Sequence, residues 1–438
     1  MNQFNILDLA TNVPIKYNKK FDLNEIKKLN YTIITNKVYS LENFAEIHPG
    51  GKKIILLSMG KDSTDEFLAF HPIEKIKGLL SLYQVGYTEF KSTSLQDDFY
   101  QMISKMYDEN LFTNTLSNVL KDWSFAVMFL IISLYLKDIN IYMAGISLGL
   151  FWQQLAFMGH DYSHSSVEYN RFKDSIGSFF ITLLFGVSGV WWKYSHNIHH
   201  IFTNSIENDP DIQYLPLFAI SPDMIKNGGF FSNFHRKFFP VDTISKYLVK
   251  VQHLTYYPVM MIARYNIYLE SIKIFFNKDI NLKERLIDLL GLIGYWMLYG
   301  YLLTLINSED RLVYHMISHS VIGILHLQIT LSHFSMPTHK EEESECFIKT
   351  QFNTTMNIKS ERWMDWFHGG LQFQIEHHLI PRMTRRNLRY IKEKYIKDFA
   401  KRNNLPYKEY GFIDAVKDIY SSLKRVTNFI NPFLGFYR

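Results

Sequence analysis

Residues 139–164 read INIYMAGISLGLFWQQLAFMGHDYSH, and this stretch decides the architecture. Its first 20 residues, 139–158, carry no charge, and roughly 20 apolar residues in a helix are enough to cross the hydrocarbon core of a bilayer. The run continues without a break into His160-Asp161-Tyr162-Ser163-His164. Side chains four apart share one helical face, so a helix extended past the membrane edge would aim both imidazoles at one place. The stretch predicts a spanning helix tipped with ligand-type side chains.

Four more uncharged runs lie at 123–136, 175–192, 289–306 and 312–332. Short connections, Lys137-Asp138 and 307–311, join them into two predicted hairpins, 123–136 with 139–158 and 289–306 with 312–332. The segment 382–402 carries nine Lys/Arg, and 226–285 holds many more. The positive-inside rule assigns those stretches and the N-terminal segment to the cytosol. By parity 175–192 should not cross; it is expected to lie in the interface or to dip in and return.

The 438 residues have 47% hydrophobic and 16% aromatic content and a net charge of +5. That apolar content excludes a mainly disordered chain. The single cysteine, Cys346, excludes an internal disulfide framework, a Cys-based zinc site and an iron–sulfur cluster. The charge is too mild to suggest nucleic acid as a partner. The first residues lack the basic start and apolar run of a signal peptide, so the N-terminal segment is expected to stay in the cytosol. The expected division is a flexible 1–20, a small soluble domain over 21–90, a linker with helix character over 91–122, a membrane domain over 123–415 and a tail over 416–438.

Within 21–90, Tyr31-Thr32-Ile33-Ile34 and Lys37-Val38-Tyr39 read as short strands turning at Thr35-Asn36. His48-Pro49-Gly50-Gly51 precedes a helix-like stretch, and His71-Pro72 follows 23 positions after His48. Two neutral imidazoles can clamp a haem iron axially, leaving a one-electron carrier with no open position for oxygen. The glycines would let the backbone pass close to the porphyrin edge.

Seven of the 17 histidines fall in three groups: His160 and His164; His196, His199 and His200; His377 and His378. Seven imidazoles are too many for one ion, since a catalytic zinc takes about three protein ligands. Two metals fit the count. Imidazole suits iron, copper, zinc and nickel alike, but a one-electron haem carrier alongside calls for a redox metal. His333, at the end of the run 312–332, is proposed as an eighth ligand. Gln374 leads the third group where the others have histidine; an amide is the poorer ligand, so Gln374 is read as a weak, water-mediated or positioning group. Asp161, Asn197, Asp209 and Glu376 are candidates for orienting the imidazoles. His315, His319 and His326 are read as packing residues; His235, His253, His339 and His368 are unassigned.

The segments Phe44-Ala45-Glu46-Ile47-His48-Pro49-Gly50-Gly51, Gly60-Lys61-Asp62-Ser63-Thr64-Asp65-Glu66-Phe67 and Phe70-His71-Pro72 resemble a cytochrome b5 domain. With Gly159-His160-Asp161, Trp191-Trp192-Lys193, Asn208-Asp209-Pro210-Asp211, Leu331-Ser332-His333-Phe334, the stretch 366–373 and the Gln-led third box, the chain resembles the b5-fused front-end lipid desaturases over about 25–415. Ile380 departs from the usual Phe. The resemblance implies a small α+β haem domain followed by an all-α membrane domain with about four transmembrane helices and a cytosolic di-iron helical cap. It implies haem b on His48 and His71 and two Fe on His160, His164, His196, His199, His200, His333, His377 and His378. These residues, His333 apart, are expected to be catalytic together with Gln374. The implied reaction uses O2 and electrons delivered by NADH-cytochrome b5 reductase to desaturate a membrane lipid in the endoplasmic reticulum, with the haem domain and histidine boxes cytosolic. The stretches 252–268 and 367–373 look most like sphingolipid Δ8 and plant Δ6 acyl desaturases, and Thr354-Thr355-Met356 leans towards the fungal sphingolipid group. A Δ6/Δ5 fatty acyl desaturase and a b5-fused lipid hydroxylase are the alternatives; a non-catalytic haem carrier and a zinc hydrolase are more distant rivals.

Overall fold

A computed structural model describes residues 17–72, 78–89, 92–343 and 345–430. The N-terminal unit opens with helix α1 (Leu23–Lys28), capped at Asp22, whose side chain accepts from Glu25 N–H at 2.8 Å. Strands β1 (Thr32–Ile34), β2 (Lys37–Tyr39) and β3 (Gln84–Tyr87) form an antiparallel sheet in that order. The β1–β2 turn falls at Thr35, which takes a left-handed φ of 59°, where the sequence expects a turn. Three short helices follow: α2 (Glu42–Ala45), α3 (Lys52–Leu57) and α4 (Thr64–Phe70). Most of the start expected to be flexible, 1–20, lies outside the described residues. Lys20 pairs with Tyr87, and Tyr87 N–H donates to Lys19 at 2.9 Å, so 19–20 already belong to the sheet. Residues 1–16 lie outside the described residues.

The segment expected as a linker holds a packed helix, α5 (Ser94–Asp108), capped by Thr93 and Gln96. Phe99, Tyr100, Met102, Ile103 and Met106 on α5 are buried in one core with Phe67 and Leu68 of α4 and with Phe352, Ile375, Leu379 and Phe399 from the C-terminal third. Tyr100 OH donates to Asp65 at 2.5 Å. Apolar residues recur along α5 at helical spacing, and burying them welds the N-terminal unit to the rest of the chain.

Among the described residues, four helices are long and apolar enough to cross a membrane: α6 (Leu116–Leu136), α7 (Ile141–Ser163), and, further on, α11 (Leu282–Thr304) and α12 (Arg311–Leu331). The first starts seven residues before the 14-residue run that marked it, because Thr115 caps it by accepting from Asn118 N–H at 3.2 Å. Gly145 and Gly149 of α7 form a Gly-x-x-x-Gly step against α12; an added Cβ would lie 3.0 Å from Ile317 and 2.6 Å from Val321. Ser133 of α6 donates to Ala144 O and contacts Tyr314 OH, each at 2.8 Å, tying three helices together.

The run 175–192 is not one straight element. It spans α8 (Arg171–Phe185) and the start of α9 (Gly189–Ile201), which meet at 112° across the left-handed Gly186. Next comes α10 (Thr243–Lys273), a 31-residue helix whose exposed Tyr247, Leu254, Met261, Tyr265, Leu269 and Ile272 form an apolar stripe. After α12 the short helices α13 (Phe347–Thr354), α14 (Gln374–Leu379) and α15 (Arg385–Ile391) reach the ends of α7 and α9 through Gln351 on His200 O, His377 against His160 and Arg385 on Asp161. The tail expected from 416 lies in α16 (Phe412–Ile430), a packed amphipathic helix. Its Thr427 Oγ1 donates to Val249 O at 3.0 Å, and Gln252 of α10 donates to its Leu423 O at 3.0 Å. Residues 431–438 lie outside the described residues.

Candidate metal and haem site

Two imidazoles face each other in the N-terminal unit. His48 lies just before α3 and His71 caps the end of α4. Their Nδ1 atoms lie 3.1 Å from Gly51 O and 3.1 Å from Phe67 O. Each Nδ1–H donates to a local carbonyl, which leaves Nε2 free as the ligand atom. Two metal–nitrogen bonds of about 2.0 Å, plus about 1.1 Å per ring from nitrogen to centroid, require rings about 6.2 Å apart. The centroids are 6.1 Å apart, so the pair fits an axially ligated haem. Phe44, Ile54, Phe67, Phe70, Leu80 and Tyr83 give the same cavity, of about 650 Å³, apolar walls. Burial, before any other cause, pushes the pKa of His48 down to about 4 and of His71 to about 3, so both are neutral ligands. An added Cβ at Gly50 would lie 2.8 Å from His48 Cε1, so this glycine clears room for the ligand ring itself.

The second site gathers side chains from four places. His160 and His164 end α7, His196, His199 and His200 occupy the last turns of α9, His333 follows α12, and His377 and His378 sit on α14. The ligand atoms of His160, His164, His196, His200 and His377 lie within 4.8 Å of one another. Those of His199, His333 and His378 form a second such group. Nε2 of His196 is 3.1 Å from Nε2 of His160 and 3.1 Å from Nε2 of His200. Nitrogens roughly 2.1 Å from one ion at right angles lie roughly 3.0 Å apart, so these spacings suit a shared metal. The groups adjoin where the rings of His200 and His378 stack at 4.1 Å. Among the described residues, both ring nitrogens of His164, and Nε2 of His377 and of His378, are buried without a hydrogen-bond partner. Such orphaned acceptors are costly unless a cation takes them. Burial, then neighbouring imidazoles, hold the pKa of His377 and His378 well below the usual value, which keeps them neutral.

Partners outside the cluster set the ring orientations. His199 Nδ1 lies 2.8 Å from the fully buried Asp209, and His196 Nδ1 lies 3.3 Å from Asp211. Asp209 also accepts from Asn204 N–H at 2.7 Å and from Asp211 N–H at 2.8 Å, so it is itself fixed. His378 Nδ1 lies 3.1 Å from Gln351 Oε1. Asp161 stands 3.7 Å from His160 Nδ1 and pairs with Arg385 at 3.3 Å. Asp209 and Asp161 thus lie where the sequence expects orienting groups. Glu376 does not: Asn357 at 2.8 Å and Tyr407 at 2.7 Å hold its carboxylate. Asn197 lines the haem cavity instead. Asp211 and Gln351 were missed, although Asp211 follows Asp209 in the motif after the second box. Gln374 Oε1 lies 3.4 Å from His333 Nε2, and its amide donates to Leu371 O at 3.2 Å. His315 bonds Tyr265 and Tyr299 at 2.8 Å each, His319 bonds Tyr268 at 3.2 Å and His326 bonds Met260 O at 3.2 Å, outside the cluster. His368 accepts from Gln328 at 3.3 Å and His339 donates to Thr203 O at 3.1 Å.

The two sites touch. His164 lines the cavity that holds His48 and His71, and the Phe70 ring stands edge-on to His200 at 6.1 Å. On the other side, an apolar cavity bounded by Phe157, Ile181, Phe185 and Leu325 reaches His160, His196, His199 and His333. A cavity of about 450 Å³ meets it at Trp192, His199 and His333 and opens past Lys53, Lys273, Asn277 and Asp279.

Known proteins place this arrangement. Residues 19–89 match the cytochrome b5-like heme/steroid binding domain and 140–411 match the fatty acid desaturase family. A Delta(8)-fatty-acid desaturase of Helianthus annuus is 33% identical over 427 residues, 93% of this chain and 92% of that protein. An acyl-lipid (9-3)-desaturase of Borago officinalis is 34% identical over 87% of this chain and 86% of its own length. A Delta 8-(E)-sphingolipid desaturase of Komagataella phaffii is 37% identical over 69% of this chain and 56% of its own. The protein is an oxygen-dependent oxidoreductase whose cofactors are haem and a di-iron centre. With four apolar spans behind its histidine cluster, the chain belongs to the fatty acid desaturase family, as a multi-pass membrane member fused to a cytochrome b5 domain.

Proposed function

We propose that the protein is a front-end desaturase that places a double bond at Δ8 in the long-chain base of a sphingolipid. The observation that carries the reading is the shared wall between the His48–His71 cavity and the eight-histidine cluster, made by His164 and by Phe70 against His200. A one-electron carrier beside a two-metal site is the equipment of oxygen-dependent C–H chemistry. The sphingolipid assignment is supported by the 37% identity to the fungal Delta 8-(E)-sphingolipid desaturase. The Borago acyl-lipid desaturase, at 34%, favours acyl desaturation at Δ6 or Δ5 as the second reading.

In this reading His48 and His71 hold the haem. His160, His164, His196, His200 and His377 take one iron, and His199, His333 and His378 the other, with Gln374 beside His333 as a positioning group. When bound, haem passes electrons singly and the irons support reduction of dioxygen to water as two hydrogens leave adjacent methylenes. Asp209 and Asp211 hold Nδ1 of His199 and His196, so that the opposite nitrogens point inward. Phe157, Ile181, Phe185 and Leu325 wall the lipid chain from water. Lys53, Lys273 and Asn277 flank the wider opening, where a polar headgroup would stop the chain and set the bond position. NADH-cytochrome b5 reductase is the electron donor, and the endoplasmic reticulum membrane the location, with both sites facing the cytosol. The basic residues of 382–402 support that orientation.

The test is expression in a host lacking such lipids, with new double bonds located in fatty acids and in sphingoid bases. A Δ8 bond confined to sphingoid bases is the expected result. New bonds confined to fatty acids would replace it with the acyl reading, and a product heavier by one oxygen would end the desaturase reading.

A further inference from the structure

The haem cavity has walls from both units. The N-terminal unit supplies the two imidazoles and the apolar faces, and the membrane domain supplies Arg171, Lys193 and Arg382. Arg171 and Lys193 share Glu284, each at 3.4 Å. Arg382 is different. It is only 7% exposed, and it lies over the face of Tyr169, 5.7 Å away. Four arginines fall in 382–389. Arg385 pairs with Asp122 and Asp161, Arg386 with Asp122, and Arg389 with Asp365. Arg382 pairs with no carboxylate among the described residues.

The carboxylates on that wall are already engaged. Besides Glu284, Asp174 accepts from the N–H groups of Glu168 and Asn170 at 2.9 and 3.1 Å, and Asp288 is held by Ser188 and Thr182. Glu66, on the N-terminal wall, has its pKa raised by burial, which favours its neutral form. Arg382 acts on Asp174 only from beyond ion-pair distance, and a buried guanidinium with no carboxylate in direct contact is expensive. Its planar fork matches a carboxylate. Haem b carries two propionate carboxylates on one edge, and Arg382 lines the same cavity as His48 and His71.

We propose that Arg382, supplied by the membrane domain, receives a haem propionate, so that both units hold the haem.

The proposal rests on haem lying between His48 and His71, which the Soret band reports by itself. The experiment reconstitutes the full-length protein with protohaem or with its dimethyl ester, whose propionates carry no charge. Haem loss to excess apomyoglobin is then followed by absorbance. The wild type should release the ester on the order of tenfold faster than protohaem. Arg382→Gln should release protohaem at the faster rate and the ester no faster than wild type does. Equal release of both haems by the wild type overturns the proposal, even if the variant cannot be purified. So does a variant that keeps protohaem as the wild type does, or one that loses both haems faster by the same factor.

Discussion

The haem pair and the histidine cluster use the same side chain in opposite ways. His48 and His71 are separated by 23 positions, and each is oriented by a carbonyl within four residues of itself. The cluster draws on histidines from 160 to 378, and its Nδ1 atoms are held by side chains such as Asp209 and Gln351. One site is built by local chain geometry and the other by long-range packing. A local site can form once its own unit has folded. The distributed site requires α7, α9, α12 and α14 to be in place first.

The largest expected effects separate the two. His199→Ala or His377→Ala should abolish desaturation and lower non-haem iron while leaving the b5 absorbance at wild-type intensity. His48→Ala should remove that absorbance and leave non-haem iron bound. Loss of both signals in the His377 variant would mean that the sites are not separately assembled. Next in size is Asp209→Asn, which takes the charged acceptor from His199 Nδ1. Removing such a partner costs roughly 10–100-fold in metal affinity, measurable by iron retention against a chelator.

A third effect concerns the join. Phe70→Leu removes the ring that stands edge-on to His200. Haem absorbance and iron content should be unchanged, while reoxidation of pre-reduced haem by the cluster, followed by stopped flow, should slow. An unchanged rate would place the electron route elsewhere, with His164 the remaining side chain common to both sites.

Legibility follows the same division. The four spans, the haem pair and the three histidine groups are written in runs and short spacings, and the structure puts each group where a helix face predicts. His333 was found because it ends a spanning run. Asp211 and Gln351 were not, since neither their residue type nor their spacing says which imidazole they will meet. The supposed linker 91–122 and the tail from 416 look polar along the chain. Their apolar residues recur at helical spacing, and only the partners that cover those faces reveal α5 and α16 as core elements. The break in 175–192 turns on Gly186, whose left-handed φ of 77° composition does not announce.

The smallest expected effect tests whether adjacency to a ligand makes a residue part of the site. Glu376 precedes His377 and His378, yet its carboxylate accepts from Asn357 and Tyr407. Asn357 in turn accepts from Ile375 N–H at 3.0 Å, so the three residues brace the first turn of α14 and leave the imidazoles to other partners. Glu376→Gln keeps one acceptor oxygen, and Tyr407 can turn its hydroxyl to accept from the new amide. The change should cost about 1 kcal/mol of stability and leave iron retention at the wild-type level, in contrast to Asp209→Asn. If Glu376→Gln released iron as readily as Asp209→Asn, the bracing of α14 would be as much a part of metal binding as the carboxylate that touches His199.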